Sequence, residues 1–193
     1  MKRRVFVFLA VIFTLVPAYS SDLLDMIDDD LLLLYPEEDR AMVIEASIRF
    51  NIPLEVLVRQ DFTESSFDKS TVYHQNDGFY SIGYKQINKR WMDYMIENYH
   101  IIDEPFDETN EKHLYWLGCN YLVYLIDRFD SAMIGLTSYN VGETKVALRR
   151  EEVPQRGWDY AYFILTGVGR GVYYNRMLEF NRLLERKGID ISE

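Results

Sequence analysis

The stretch from Asp107 to Asp127 sets the first constraint on this fold. Leu114, Leu117, Gly118, Tyr121, Leu122 and Leu125 recur there at helical spacing on one stripe, which predicts a long helix with a broad apolar face over 107–127. Such a face must be covered on several sides, so the helix is expected to be the buried centre of the body. Gly118 and Cys119 lie on it and read as packing residues. Cys119 is the only cysteine among 193 residues. No intrachain disulfide is available, and the apolar core alone must hold the fold together.

Shorter helical patterns surround this one. A helix is predicted over 38–50, and another after Pro53, whose missing N–H costs nothing in a first helical turn. Leu54, Leu57 and Val58 repeat at helical spacing up to Phe62 and leave Glu64 at that helix's C-terminal end. Asn88 reads as the cap of a helix carrying Trp91, Met95 and Tyr99. Further helices are expected over 131–139, 160–165 and 172–186, the last with Tyr173, Met177, Phe180 and Leu184 on one face. Between Phe67 and Ile82 the chain is polar, and Asn76-Asp77-Gly78 between Val72-Tyr73 and Phe79-Tyr80 signals a small hairpin. The fold class is therefore mainly α with a small β-hairpin excursion near residues 70–82.

At the amino terminus, Lys2-Arg3-Arg4, the apolar run Val5–Val16 and Ala18-Tyr19-Ser20 have the order of an export signal over residues 1–20. The run is shorter than the about 20 residues a membrane span needs. Cleavage after Ser20 leaves Ser21 and no thiol for a lipid, so no stable membrane insertion is expected once the signal is removed; an uncleaved signal would act as an anchor. The expected location is periplasmic or otherwise extracytoplasmic. Residues 21–37 contain the leucine-rich stretch Leu23–Leu34, broken by Asp28-Asp29-Asp30 and closed by Pro36, read as a short helix outside the main domain. That domain is expected over 38–187, with 188–193 as a tail.

Charge excludes one class of partner. The 21 basic and 31 acidic residues give −10, and loss of the three cations of the signal takes the body to −13. Phosphate backbones need clustered Lys and Arg, so nucleic acid is not an expected ligand. His74, His100 and His113 are dispersed without ligand spacing, so no metal and no other cofactor is expected. The 15 Tyr, 11 Phe and 3 Trp can pack a core or line a sugar-binding groove.

The chemistry lies in a series of short motifs. Glu64-Ser65-Ser66-Phe67 is followed by Ser81-Ile82-Gly83-Tyr84-Lys85-Gln86-Ile87-Asn88, then by Asp107-Glu108-Thr109-Asn110, Gly118-Cys119-Asn120-Tyr121-Leu122 and Ser138-Tyr139-Asn140-Val141-Gly142. In this order and with these gaps the set resembles the soluble lytic transglycosylases of bacterial cell walls, over about residues 38–187. Glu64-Ser65-Ser66-Phe67, Asn76-Asp77-Gly78 and Gly83 to Trp91 are also similar to animal-type lysozymes. Both resemblances imply a lysozyme-like fold in which a glutamate ends a helix at a sugar cleft.

Glycosidic cleavage needs a proton on the leaving oxygen and stabilisation of an oxocarbenium-like carbon. Glu64 is the expected general acid, provided that partial burial raises its pKa. The lysozyme-type pattern puts a second carboxylate two residues before Gly83, and here that residue is Ser81. The resemblance to transglycosylases implies a route that needs none: the substrate's N-acetyl group assists departure, its C6 hydroxyl attacks C1, and Glu64 acts first as acid and then as base. The product is a 1,6-anhydro sugar.

Further roles follow from the resemblance. Gln86 would bind substrate or, on the residue reading, cap the next helix. Tyr139 and Asn140 match a Tyr-Asn pair at the groove, and Tyr173, or Tyr174 one register on, matches a groove tyrosine. Ser65 would bond the Glu64 carboxylate or cap the chain. Lys85 departs from the family, which has methionine there; it is expected to snorkel outward with its stem as a floor for the sugar, or to pair with a carboxylate of the wall. Asp61, one turn before Glu64, reads as a solvated or Arg-paired residue, and Asp77 as a structural turn residue. The expected partner is the glycan strand of peptidoglycan. An acidic body gains no long-range steering towards an anionic wall, so a partner protein is the expected means of delivery, and the resemblance implies that such a partner belongs to a wall-spanning assembly. Two other functions remain: a muramidase of the same fold, and a catalytically impaired wall-binding scaffold.

Overall fold

The computed structural model describes residues 30–76 and 78–189. Among the described residues eight α-helices run in chain order: α1 Glu37–Phe50, α2 Leu54–Ser65, α3 Met92–Tyr99, α4 Glu111–Phe129, α5 Ala132–Val141, α6 Glu143–Leu148, α7 Gln155–Thr166 and α8 Tyr173–Lys187. A three-stranded antiparallel sheet in the order β1-β2-β3 lies between α2 and α3, with β1 Val72–His74, β2 Tyr80–Ile82 and β3 Ile87–Asn88. The expected class, mainly helical with a small β excursion, is the observed one. The proposed export signal at 1–20, the stretch 21–29, Asp77 and residues 190–193 lie outside the described residues.

Helix α4 is the axis. Leu117, Cys119, Leu122 and Leu125 on it are 0–1% exposed, and Asn110 caps its start by accepting from the Lys112 N–H. The expected start at Asp107 is four residues early, because Asp107 closes its own turn by accepting from the Thr109 N–H. Helix α5 packs along α4 closely enough that a Cβ on Gly135 would stand 2.7 Å from Ile126 Cγ1. Burial pushes the Cys119 thiol up to about 12, which fits a packing residue rather than a nucleophile.

Several expectations need correction. The described part of the leucine-rich stretch does not stand outside the domain: Asp30–Leu34 forms a 3-10 turn whose Leu32 and Leu34, with Tyr35, join the main core. Asn88 does not cap α3; it ends β3 and accepts from the Arg90 N–H, and the helix starts four residues on. Strand β3 and helix α6 were not expected, since two and six residues are too few to show a period. His113 is buried with both ring nitrogens engaged, one accepting from the Asp107 N–H and the other on Glu104. Among the described residues no group of side chains could hold a metal, and no helix is long and apolar enough to cross a membrane.

Candidate active site

Glu64 stands in the last turn of α2, which ends because Ser66 and then Phe67 adopt left-handed backbone (φ 58° and 63°). Two successive non-glycine residues there are strained, and neighbours hold them. Phe67 packs edge-on to Tyr35 at 4.9 Å, while Arg176 from α8 donates to Ser66 Oγ at 2.7 Å and to the Phe62 carbonyl, with its guanidinium 4.1 Å from the Phe62 ring centre. This clamp turns the helix end so that Glu64 faces a cleft of about 400 Å³.

Thr71, Tyr73, Gln75, Ser81, Gln86, Asn88, Tyr139 and Asn140 complete the cleft wall, and Glu64 is the one carboxylate among them. Four of the wall residues continue into an outer groove of about 740 Å³ that runs past Trp91, Tyr94 and α6. Trp91 and Tyr94 are half-exposed on it and offer flat apolar faces of the kind that stack on sugar rings.

The Glu64 carboxyl is raised from an ordinary 4.5 to about 7. Burial is the main cause; the Tyr160 hydrogen bond, the Lys85 charge and the Arg176 charge pull it down, and Asp61 pushes it up. Tyr160, from α7, donates to Glu64 Oε1 at 2.6 Å. One carboxylate oxygen is thereby fixed, and Oε2 is left for a substrate. A carboxyl so placed is half protonated near neutrality and can act as a general acid there.

Of the residues expected at the site, Glu64, Gln86, Tyr139 and Asn140 meet at the cleft from α2, the Gly83–Gln86 turn and α5. Gln86, in left-handed backbone at φ 48°, spends both amide hydrogens on the carbonyls of Thr71 and Gly83 at 3.1 and 3.0 Å, so its Oε1 is the atom left for a ligand. It caps no helix. The Tyr139 hydroxyl donates to the Lys85 carbonyl at 2.8 Å. Tyr173 lies just behind, stacked on Phe163 and edge-on to Tyr160, and in hydrogen-bonding contact with Asn140, whereas Tyr174 is half-exposed.

Two expected substrate contacts and one bystander fall elsewhere. Ser65 is buried and donates to the Asp61 carbonyl at 3.0 Å, within its own helix, so it neither touches the Glu64 carboxylate nor faces the cleft. Lys85 does not snorkel. It is 1% exposed and pairs with Asp61 Oδ1 at 2.6 Å, because Gly118 on α4 has no side chain and lets the Lys85 stem pass; a Cβ there would stand 2.7 Å from Lys85 Cβ. Asp61 is accordingly neither solvated nor Arg-paired but fully buried.

Tyr160 and Arg176 escaped the sequence reading. Tyr160 opens an apolar run that reads as core, and Arg176 sits on an amphipathic helix like any surface cation. Only Tyr160's polar tip in such a run, which must find a partner when buried, could have marked it.

No protein-family profile matches the chain, and no curated protein matches it. Among solved structures, the X-ray structure of an inactive mutant of the lytic transglycosylase Slt from Pseudomonas aeruginosa is similar at a TM-score of 0.49 and 16% identity, over 73% of this chain. The chain covers 23% of that protein's length.

Proposed function

We propose that the chain is a lytic transglycosylase that cleaves the MurNAc–GlcNAc β-1,4 bond of peptidoglycan outside the cytoplasm, with Glu64 as its single acid and base. The observation that carries this reading is the solitary, half-buried Glu64 at the head of a cleft walled by neutral hydrogen-bonding side chains, its pKa near 7. Where a hydrolase would need a second carboxylate to hold or replace a water, the wall has Ser81, whose hydroxyl accepts from Gln75 at 3.4 Å. The ordered motifs around Glu64, Gln86 and Tyr139-Asn140 point the same way.

The chemistry then runs within the substrate. Protonated Glu64 gives its proton to the glycosidic oxygen as the C1–O bond breaks, and the substrate's N-acetyl group supports the electron-poor C1. The Glu64 carboxylate next takes the proton of the C6 hydroxyl as O6 bonds to C1. The acid is regenerated, the 1,6-anhydro ring is closed and no water is consumed. Intramolecular attack has a high effective molarity, so the protein's task is to hold the sugar and keep the proton at Glu64. Export by residues 1–20 would bring the enzyme to its substrate.

The test is release of soluble fragments from purified peptidoglycan by the protein and by its Glu64→Gln variant. Loss of a general acid is expected to lower the rate by about 10²–10⁴-fold. Equal release by both proteins would contradict the assignment, and binding without release by either would favour the scaffold.

A further inference from the structure

The most deeply buried charges in the described chain are not at the cleft surface but beneath it. Lys85 and Asp61, 1% and 0% exposed, meet at 2.6 Å. Lys85 Nζ also donates to Gln60 Oε1 at 2.9 Å and lies 4.8 Å from the Tyr115 ring centre, and Tyr35 and Tyr115 each donate to Asp61 Oδ2 at 2.6 Å. As a stabilising device this arrangement is poor, since two apolar residues of similar volume usually pack at least as well as a desolvated ion pair. Its connections give it another use. Asp61 precedes Glu64 by one helical turn. Gln60 faces the hydroxyl of Tyr160, the residue that bonds Glu64. The carbonyl of Lys85 holds Tyr139, and Gln86 follows it directly.

We propose that Lys85 and Asp61 form a buried positioning pair for Glu64, fixing Gln60, Tyr160 and the Gly83–Gln86 turn so that the acid's carboxyl is held in place, without either residue touching the substrate. The proposal rests on the reading of Glu64 as the acid. The groups that face Glu64 are Asp61 from its own helix, Lys85 from the turn, Tyr139 from α5, Tyr160 from α7, and Tyr173 and Arg176 from α8. Of these, Lys85 and Arg176 carry the positive charge that favours the carboxylate, Asp61 opposes it, and the three tyrosines are neutral. Removing Lys85 alone therefore both takes away an attraction and leaves Asp61 without its cation, and the two effects add.

The experiment titrates the Glu64 carboxyl by carbon-13 NMR in the protein as it stands, in Lys85→Met, and in the double variant Asp61→Asn/Lys85→Met, whose amide keeps an acceptor for Tyr35 and Tyr115. In parallel, kcat and KM for peptidoglycan release are measured at pH 6. The midpoint is expected to rise in Lys85→Met and to return part of the way in the double variant. In Lys85→Met, kcat should fall by about ten- to a hundredfold at unchanged KM, the scale of a misplaced catalytic group. Identical midpoints in all three proteins would overturn the proposal, as would a double variant that fails to fold, because the pair would then be a structural necessity. Midpoints that move as expected in a protein with no activity would uphold the pair and sink the enzymatic reading alone.

Discussion

At the residue scale the chemistry rests with Glu64, whose burial is a cost to the fold. Its pKa in the native protein, about 7 against an ordinary 4.5, means that between these values the folded state binds the proton more tightly than the unfolded one. Stability therefore falls as pH rises through this window. Glu64→Gln removes that cost, and its stability at pH 8 is expected to exceed the parent's by about 1–3 kcal/mol in urea unfolding, while activity is lost. Tyr160→Phe tests the other side of the carboxyl. Without the hydrogen bond to Oε1 the ionised form loses support, so the alkaline limb of the pH–rate profile should move to higher pH and the rate at its plateau should fall. A limb that stays in place would mean that Tyr160 packs without tuning. Glu64 itself was legible in the sequence, because a glutamate closing an amphipathic helix before Ser65-Ser66-Phe67 is a local pattern. The Lys85–Asp61 pair was not, since the two residues are separated by 24 positions and meet only when the Gly83–Gln86 turn is laid against α4.

At the element scale, the contact between that turn and α4 decides where the cleft wall stands. Gly83 takes φ 74°, Glu111 accepts from the Tyr84 backbone N–H, and Gly118 gives the Lys85 stem its passage. Gly118→Ala would put a Cβ 2.7 and 2.8 Å from Lys85 Cβ and Cγ and 3.1 Å from Ile87 Cδ1. The turn must then lift, and the variant is expected to lose about 1–3 kcal/mol and to bind peptidoglycan more weakly; full stability and binding would show that the turn yields freely. Helix existence could be read almost throughout, most plainly in α2, α4 and α8, which carry an apolar period. Their ends could not, because Asp107 and Asn88 bond their own turns rather than cap a helix. The two-residue β3, which completes the wall through Asn88, has no periodicity to read.

For the whole molecule, two raised carboxyls govern stability from mildly acidic to alkaline pH. Glu111, like Glu64, is raised to about 7, mainly by burial. Both contribute stability that is complete below about 4.5 and lost as pH climbs through 7. The turn carboxylates Asp68 and Asp107 run the other way, held low by Ser70 and by Thr109, and their contribution is lost in acid. Calorimetry should therefore find the melting temperature higher at pH 5.5 than at pH 8, with Glu64→Gln/Glu111→Gln flattening the difference; a melting temperature that rises towards pH 8 would contradict this balance. With one acid and no second ionised carboxylate required, the pH–rate profile should show an alkaline limb near 7 and no acidic limb above the range where the fold itself fails.

If Glu64 alone breaks the glycan without water, the mass of the fragments released from purified peptidoglycan by the full chain will show it. Muropeptides one water lighter than hydrolysed ones are expected, as a 1,6-anhydro ring requires, and none from the Glu64→Gln variant. Fragments of full hydrolysed mass would contradict this and demand a water-activating group that the wall of Ser81, Gln75 and Gln86 does not supply.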